Sequence, residues 1–317
     1  MPEARPLVCI LAPAFNEADV VRNNLQRLCD YMETIADRFR WNLILVDDGS
    51  RDRTAALLRQ QFELRPDVTR IVLFSRNCGQ HLAIMAGFER CRGERTVTLD
   101  ADLQNPPEEL ARLLTKLALG FDVVYGTPER EQHGFLRDLA SRATKLALAS
   151  AMGAEVARHV SAFRVFRTEL RAAFAEYRSP FVSIDVLLTW GTARFGAVVV
   201  RHEPRAAGHS NYTLAKLVTH AFNMLTGFST FPLQLASLVG FGCTLLGVAL
   251  LAYVLARALF EGGAPPGFPF LASMVALFSG AQLFALGILG EYLARMHSRT
   301  MDRPAYTVQA ETTPAER

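Results

Sequence analysis

The sequence predicts an α/β domain with a largely parallel sheet, followed by a pair of long apolar helices. Short apolar runs alternate with segments of helical periodicity between residues 7 and 125, which is typical of a sheet with helices on both faces. Polar motifs follow four of these runs, and sites in such sheets lie beyond the carboxyl ends of the strands. Two uncharged stretches, at about 233–256 and 268–290, come near the C-terminus.

Each element of the first half follows from a local pattern. Val20, Val21, Leu25 and Leu28 recur at helical spacing and give the first helix an apolar face. The apolar runs are short and continuous, as in strands that are buried on both faces. We therefore expect strands at 7–12, 42–46, 71–74, 96–99 and 122–125, and helices at 17–38, 54–62, 81–92 and 108–119.

The pattern is weaker between about residues 134 and 227. Helices are expected near 137–152, 168–176, 181–190 and 213–226, and a strand is expected at 197–200. Residues 212–228 are amphipathic, so this segment is suited to lie in a membrane interface.

Composition excludes several classes of protein. Half of the residues are hydrophobic and 21% are charged, so the chain is not disordered. A net charge of +3 gives no indication of nucleic-acid binding. The five cysteines show no CxxC or His/Cys spacing, which argues against a zinc site and favours a reduced compartment. The N-terminus is expected to begin the first strand and not a signal peptide.

The two uncharged stretches each reach the roughly 20 residues needed to cross a bilayer. A turn rich in Gly and Pro joins them, so they predict a transmembrane hairpin; two buried core helices are the alternative. Basic residues flank both outer ends, whereas the turn side offers only Arg257. The positive-inside rule then places the α/β domain and both termini in the cytoplasm. The flanking residues are Arg201, Arg205 and Lys216 before the hairpin and Arg295, Arg299 and Arg303 after it.

These segments predict the organisation of the whole chain. An α/β domain is expected at 1–211 and an interfacial helix at 212–230. The two membrane helices fall within 231–296, and a cytoplasmic tail follows at 297–317.

The first two polar motifs follow the first two predicted strands. PAFNE contains Pro13 and Glu17, although Asn16 or Glu17 would also serve to cap the next helix. VDDGSRDRT contains the adjacent acids Asp47 and Asp48. Two carboxylates at the end of a buried strand can accept hydrogen bonds from a uracil ring or a ribose, and turn formation is the alternative.

The third motif, RNCGQH at 76–81, contains Asn77 and Gln80. It forms a turn before a helix whose N-terminal amides can face a phosphate group. Taken alone, this motif is a weak indication of function.

The fourth motif, LDADLQNPP, carries the strongest indication. Asp100 and Asp102 leave a buried strand two residues apart, and the amide of Gln104 follows. Such oxygen ligands suit one hard divalent cation, Mg²⁺ or Mn²⁺, completed by substrate phosphates. The ion would neutralise charge on a departing diphosphate. A lone DxD arises by chance, but its position beside three other motifs favours a functional site.

A fifth motif, RAAGHSNY at 205–212, lies directly before the predicted interfacial helix. Arginine binds phosphate oxygens in a bidentate geometry, and a phosphate-headed lipid would arrive at this surface. Arg205 is therefore a candidate for binding an acceptor phosphate. Contact with anionic lipid headgroups is the alternative.

Together these motifs resemble the polyprenyl-phosphate members of glycosyltransferase family 2. RNCGQHLAIMAGF and LDADLQNPPEE are most similar to the branch that makes undecaprenyl-phosphate aminoarabinose for lipid A modification. The resemblance covers about residues 7–130 and resumes over 201–230 and the apolar helices. It implies a GT-A fold, a UDP-sugar donor, undecaprenyl phosphate as acceptor, a divalent cation, inversion at the anomeric carbon and a bacterial inner-membrane location. A homo-oligomer is expected by analogy alone.

The resemblance also implies roles for single residues. Asp100 would orient the donor, and Asp102 and Gln104 would bind the metal. The predicted donor site comprises Pro13, Glu17, Asp47, Asp48, Asn77, Gln80, Asp100 and Arg130, the acceptor-phosphate site comprises Arg205, Ser210 and Lys216, and Asp100, Asp102 and Arg205 are the predicted catalytic residues.

The chain departs from this family at two places. Asn211 stands where relatives usually have Lys, so one phosphate contact is either lost or supplied by Lys216. The segment 158–164 lacks the acid that relatives tend to carry. A phosphate monoester is already ionised near neutral pH, so the predicted reaction needs no strong base.

Two other functions stay open on the sequence alone. One is a glycosyltransferase for another lipid, such as diacylglycerol, whose neutral hydroxyl would need a base. The other is an inactive membrane scaffold or sugar-nucleotide-binding partner, which the changed 158–164 segment favours and the intact DxD and DDG motifs oppose. The transferred sugar also stays open among N-acetylhexosamines, hexoses and the formamido-arabinose sugar.

Overall fold

The computed structural model describes residues 5–128, 152–177, 179, 182–203, 223, 226–260, 267–301 and 303–313. The chain divides into two compact units. The first comprises Met1–Val218 with Arg303–Arg317, and the second comprises Thr219–Asp302.

Alternating strands and helices build the first unit. Its strands are β1 (Leu7–Ala14), β2 (Arg40–Asp47), β3 (Thr69–Phe74), β4 (Arg95–Thr98), β5 (Val123–Pro128), β6 (Arg164–Arg167), β7 (Phe195–Val200) and β8 (Val308–Thr312). Its α-helices are α1 (Val21–Thr34), α2 (Thr54–Leu64), α3 (Gln80–Glu89), α4 (Leu110–Ala118), α5 (Ala154–Ala157) and α6 (Ile184–Gly191), and 3₁₀ turns occupy Pro107–Glu109 and Thr168–Phe174.

The eight strands form one sheet in the order β7-β5-β6-β4-β1-β2-β3-β8. β4, β1, β2 and β3 are parallel neighbours, so their carboxyl ends meet at one edge of the sheet. β6 runs antiparallel between β4 and β5, and β8 runs antiparallel to β3. The sheet is therefore mostly parallel, as predicted, with two antiparallel additions.

The core of this unit lies between the sheet and its helices. Ile10 and Leu43 of the sheet and Leu28 and Met32 of α1 are fully buried in it. Each such side chain stabilises the fold by about 1.5–3 kcal/mol relative to an exposed one. Helical spacing of apolar residues in α1 thus produces the packing that holds the loops of the site in place.

The structure confirms the five predicted strands of the first half and the strand near 197–200. Two strands, β6 and β8, were not predicted, and β8 lies in the segment expected to be a tail. The segment predicted as a helix at 168–176 is a 3₁₀ turn over Thr168–Phe174. The helices predicted at 137–152 and 213–226 lie almost entirely outside the described residues.

The second unit contains two long helices, α7 (Phe231–Phe260) and α8 (Phe268–Thr300). Within them, Phe231–Arg257 and Ser273–Thr300 are long and apolar enough to cross a membrane, with mean hydropathies of 2.3 and 1.7. The helices approach each other at Gly247, where a Cβ atom would lie 3.1 Å from the Phe278 ring. Near the end of α8, Arg295 pairs with Glu291 at 2.7 Å.

Candidate active site

Two loops at the carboxyl edge of the sheet are joined by hydrogen bonds. The Asn16 amide donates to Ser50 Oγ at 3.0 Å, and the Arg51 amide donates back to Asn16 Oδ1 at 2.9 Å. The Glu17 amide donates to Thr54 Oγ1 at 2.9 Å. Asn16 has a φ of 54°, a left-handed conformation that asparagine tolerates better than most residues. The PAFNE and DDGSRDRT motifs therefore hold each other in place through hydrogen bonds.

The carboxylate of Asp48 holds the third motif. It accepts hydrogen bonds from Asn77 Nδ2 at 2.9 Å, from the Cys78 amide at 2.7 Å and from the Gly79 amide at 2.9 Å. Both of its oxygens are thus occupied by the loop at 76–79. Asp48 thus holds this loop in place, and its contact with a nucleoside stays a prediction.

Gly49 lets the same loop approach closely. Its φ is 68°, and a Cβ atom there would lie 2.4 Å from the Arg76 carbonyl carbon. Any other residue would therefore be strained in its backbone and would also collide with the neighbouring chain.

Asp47 differs from its neighbour in its hydrogen bonding. Its Oδ2 accepts from the Ser50 amide at 3.1 Å, while its buried Oδ1 has no hydrogen-bond partner among the described residues. A buried acceptor without a partner is costly, so Oδ1 is a candidate acceptor for an N–H or O–H group of a ligand. Burial raises the pKa of both Asp47 and Asp48 above the usual aspartate range.

The fourth motif leaves β4 in a tight turn. Gln80, at the start of α3, donates from Nε2 to Asp100 Oδ1 at 2.6 Å. The turn closes through the Leu103 amide, which donates to the Asp100 carbonyl at 3.0 Å, with Leu103 at a φ of 48°. Asp102 Oδ1 accepts from the Gln104 amide at 3.3 Å. Asp100 is thereby linked to the third motif, and Asp102 and Gln104 share one turn.

This donor set fits a divalent cation that is shared with a substrate. Among the described residues, no group of three or more His, Cys, Asp or Glu side chains could hold a metal ion. The turn instead offers the half-buried carboxylate of Asp102 and the half-buried amide of Gln104. Mg²⁺ is commonly bound in this way, by one or two protein oxygens together with substrate phosphates and water.

A segment after β7 is anchored on the same turn. The Glu203 amide donates to the Gln104 carbonyl at 2.7 Å, and the Glu203 carboxylate pairs with Arg27 at 3.1 Å. Arg201 pairs with Glu109 at 3.0 Å. Burial alone would raise the pKa of Glu109, but hydrogen bonds from Arg112 and Arg201 outweigh it and lower this pKa. Glu203, the last described residue before the predicted acceptor motif, thus contacts the DxD turn.

A buried cluster under the site was missed in the sequence. Arg164 is only 2% exposed and donates from Nε to Thr98 Oγ1 at 2.9 Å, at the end of β4. Its guanidinium forms an ion pair with buried Asp185, which also accepts from the Tyr125 hydroxyl at 3.0 Å. The four residues are far apart in sequence, and the fold brings them together from three strands and α6.

The structure gathers most of the predicted donor and metal residues at one edge of the sheet. Pro13 pairs in register with Val46 at the end of β1. The predicted residues Arg130, Arg205, Ser210 and Lys216 lie outside the described residues. The residues at this edge are Pro13, Glu17, Asp47, Asp48, Asn77, Gln80, Asp100, Asp102 and Gln104.

Known proteins are similar to this chain in sequence and in fold. Residues 9–172 match the family described as Glycosyl transferase family 2. An undecaprenyl-phosphate 4-deoxy-4-formamido-L-arabinose transferase of Pseudomonas fluorescens (strain SBW25) is 36% identical over 304 residues, covering 95% of this chain and 89% of the relative. The enzyme of that name from Pseudomonas aeruginosa (strain LESB58) is 37% identical over 305 residues, covering 96% and 89%.

A solved structure shares the fold at lower identity. Glucosyl-3-phosphoglycerate synthase from Mycobacterium tuberculosis, in complex with Mn²⁺, UDP and phosphoglyceric acid, superposes with a TM-score of 0.51 at 18% identity. The match covers 70% of this chain and 76% of that one. The first unit therefore has a GT-A-type fold, and the chain is a glycosyltransferase that belongs to glycosyl transferase family 2.

Proposed function

We propose that the chain transfers a sugar from a UDP-sugar to undecaprenyl phosphate, with inversion at the anomeric carbon. The observation that carries this proposal is the convergence of Asp47, Asp100 and Asp102 at one edge of the sheet. The relatives that share about 36% identity over 95% of the chain are named as undecaprenyl-phosphate sugar transferases. The synthase that shares the fold was solved with UDP and Mn²⁺, which supports the choice of donor and cation.

Each residue of the donor site has a different role in this proposal. Asp47 accepts a hydrogen bond from the nucleoside through its Oδ1 atom, which has no partner among the described residues. Asp48 keeps the loop at 76–79 in position beside the nucleoside. Gln80 donates a hydrogen bond to the carboxylate of Asp100 at 2.6 Å. This bond fixes the orientation in which Asp100 contacts the donor.

A divalent cation, Mg²⁺ or Mn²⁺, would be held by Asp102 and Gln104 and would neutralise negative charge on the leaving UDP. The left-handed Leu103 between them fixes the turn on which both side chains lie. The pre-set turn reduces the reorganisation that is needed when charge develops.

The acceptor supplies its own nucleophile. A phosphate oxygen of the lipid forms a bond to the anomeric carbon while the bond from that carbon to the UDP oxygen breaks. The phosphate is ionised near neutral pH, so the missing acid in 158–164 does not prevent the reaction. Arg205, Ser210 and Lys216 are proposed to bind this phosphate. Glu203 precedes Arg205 by two residues in the sequence, and its amide contacts the DxD turn, which supports an acceptor site near the proposed metal site.

We further propose that α7 and α8 cross the bacterial inner membrane as a hairpin. Both helices are long and apolar enough, and basic residues flank the outer ends of the pair. The positive-inside rule then puts the first unit and both termini in the cytoplasm, where nucleotide sugars are available.

Release of UDP by the purified protein in detergent tests this function directly. With undecaprenyl phosphate, a panel of UDP-sugars and Mn²⁺, we expect turnover with one donor that needs both the lipid phosphate and the cation. A chelator or omission of the lipid should abolish it. Turnover with diacylglycerol instead would indicate a different acceptor, and UDP binding without any turnover would favour a scaffold.

The affinity for UDP should depend on pH through Asp48. Ionised Asp48 accepts three N–H groups, whereas a protonated carboxyl presents an O–H group toward one of them. Because burial raises its pKa above 3.8, affinity should fall on acidification sooner than with an ordinary aspartate. A raised pKa also means that the folded chain binds this proton more readily than the unfolded chain, so this titration does not itself unfold the protein.

Isothermal titration with UDP across an acidic pH series measures this effect, and circular dichroism controls for the fold. Asp48→Asn should bind UDP weakly at every pH, because an amide cannot accept from all three donors. Asp67→Asn, at an exposed carboxylate paired with Arg65, makes the same charge change and should follow the wild type. A flat pH profile in the wild type would contradict the role of Asp48.

A further inference from the structure

The strand β8 lies beside the loop that Asp48 holds. It pairs antiparallel with β3, with Val308 opposite Phe74 and Thr312 opposite Ile71. Directly before β8, the Thr307 carbonyl accepts a hydrogen bond from the Ser75 amide at 3.0 Å. Ser75 is the first residue after β3, so the contact continues from the sheet into the loop at 75–79.

Side chains attach this segment to the two elements that flank the loop. The Tyr306 ring stacks on Phe74 of β3, with ring centroids 4.8 Å apart and an angle of 13° between the planes. The Tyr306 hydroxyl donates to Glu89 at the end of α3. Glu311 pairs with Arg90 at 2.8 Å, directly after α3.

The loop itself is held from two directions. On one side, the Cys78 and Gly79 amides donate to Asp48 at 2.7 and 2.9 Å. On the other side, the Ser75 amide at the start of the loop donates to the Thr307 carbonyl at 3.0 Å, and the Cys78 thiol donates to the Arg76 carbonyl within the loop at 3.4 Å. The segment that contains Tyr306 and Thr307 thus contacts the loop where it leaves β3, and Asp48 holds the loop at its other end.

We propose that residues 306–312, here called the C-terminal brace, position the loop at 75–79 for nucleotide binding. The proposal rests on the proposed function, because it takes this edge of the sheet as the donor site. A loop that is already ordered loses less conformational freedom when a ligand binds. The brace therefore raises affinity for the nucleotide without contacting it, and Tyr306 and Thr307 are positioning residues.

Nucleotide binding by the full-length protein in detergent tests the brace. Tyr306→Ala removes the stack on Phe74, and such a contact is worth enough to weaken UDP binding by about tenfold. Tyr306→Phe keeps the stack and loses the hydrogen bond to Glu89. Its affinity for UDP should therefore lie between those of the wild type and Tyr306→Ala. The KM for undecaprenyl phosphate should stay unchanged in both variants. Tyr177→Ala, which removes an aromatic contact with Trp190 on another part of the unit, should bind UDP like the wild type.

A second measurement reports on the loop without any nucleotide. Cys78 is half-buried, whereas Cys9, Cys29 and Cys91 are buried. In a Cys243→Ser background, the rate of alkylation therefore reports mainly on Cys78. Tyr306→Ala should raise this rate several-fold, because the loop that carries Cys78 is then held less firmly at Ser75. Tyr177→Ala should leave it unchanged.

The two measurements distinguish a failure of the brace proposal from a failure of the proposed donor site. An unchanged alkylation rate in Tyr306→Ala would overturn the contact, and unchanged UDP affinity would overturn its role in nucleotide binding. If Tyr306→Ala does not fold, Glu311→Gln, which removes the ion pair with Arg90, serves in both measurements. A wild type that binds no UDP would overturn the proposed donor and with it the purpose of the brace, while the alkylation rate would still decide whether the brace restrains the loop that carries Cys78.

Discussion

Asp102→Asn is expected to lower turnover by about 10²- to 10³-fold, the loss found when one charge-stabilising group is removed from an active site. Asp102 and Gln104 share the turn that leaves β4, and Asp102 is the charged member of the pair. An amide in its place keeps the shape of the side chain but removes the negative charge that attracts a divalent cation. Initial rates of UDP release at saturating lipid and donor measure the loss.

Binding of Mn²⁺ gives a readout that does not depend on turnover. In the presence of UDP, Asp102→Asn should bind Mn²⁺ much more weakly than the wild type, while Asp67→Asn should bind it normally. Asp67 is an exposed carboxylate, so it matches the charge change at a distant surface. If Asp102→Asn kept most of its turnover and its affinity for Mn²⁺, the metal site would have to lie elsewhere.

Asp185→Asn is expected to destabilise the fold by about 3–5 kcal/mol, because it leaves the charge of Arg164 buried without its counter-ion. Arg164 is 2% exposed and Asp185 is 4% exposed, so water cannot compensate for the lost partner. The cluster also contacts Thr98 at the end of β4, two residues before Asp100. Thermal and denaturant unfolding of the purified protein, followed by circular dichroism, measure the change.

Two further variants show whether the lost charge balance is the cause. Arg164→Met combined with Asp185→Asn removes both charges and keeps an acceptor for the Tyr125 hydroxyl, so it should recover a large part of the stability. Glu33→Gln breaks the pair with Arg65 at the surface and should cost no more than about 1 kcal/mol. Equal effects of Asp185→Asn and Glu33→Gln would show that the buried pair does not stabilise the fold.

The parallel part of the sheet could be predicted because its strands are buried on both faces. β1, β2 and β3 each contain a continuous apolar run, and such runs are distinct from the helical periodicity between them. β6 escaped prediction because its sequence, RVFR, has Arg164 and Arg167 at its ends. An arginine is acceptable in a buried strand only when a partner such as Asp185 is present, and that partner is 21 residues away.

β8 escaped prediction for a different reason. Its sequence, VQAET, is short and polar at alternate positions, with half-buried Val308, Ala310 and Thr312. Its partner, β3, lies more than 200 residues earlier, with Glu311 opposite Val72. Local sequence carries no information about a pairing at that distance, so only the fold shows it.

The position of the site could be predicted from the sequence. The motifs after β1 to β4 converge as expected, since parallel strands bring their carboxyl ends together. The different hydrogen bonding of Asp47 and Asp48 could not be predicted, because it depends on which carboxylate the loop at 76–79 reaches. Two adjacent acids look equivalent in a sequence, and backbone geometry alone separates them.

The antiparallel strand β8 has a consequence for how the protein is made. β3 emerges from the ribosome early, but its partner follows α8 in the chain. The edge of β3 therefore stays open while both apolar helices are synthesised, and an open edge strand invites pairing with other chains. A protein that is shortened after α8 would keep this edge open permanently, so we expect it to aggregate during expression even though every element of the parallel sheet has been translated.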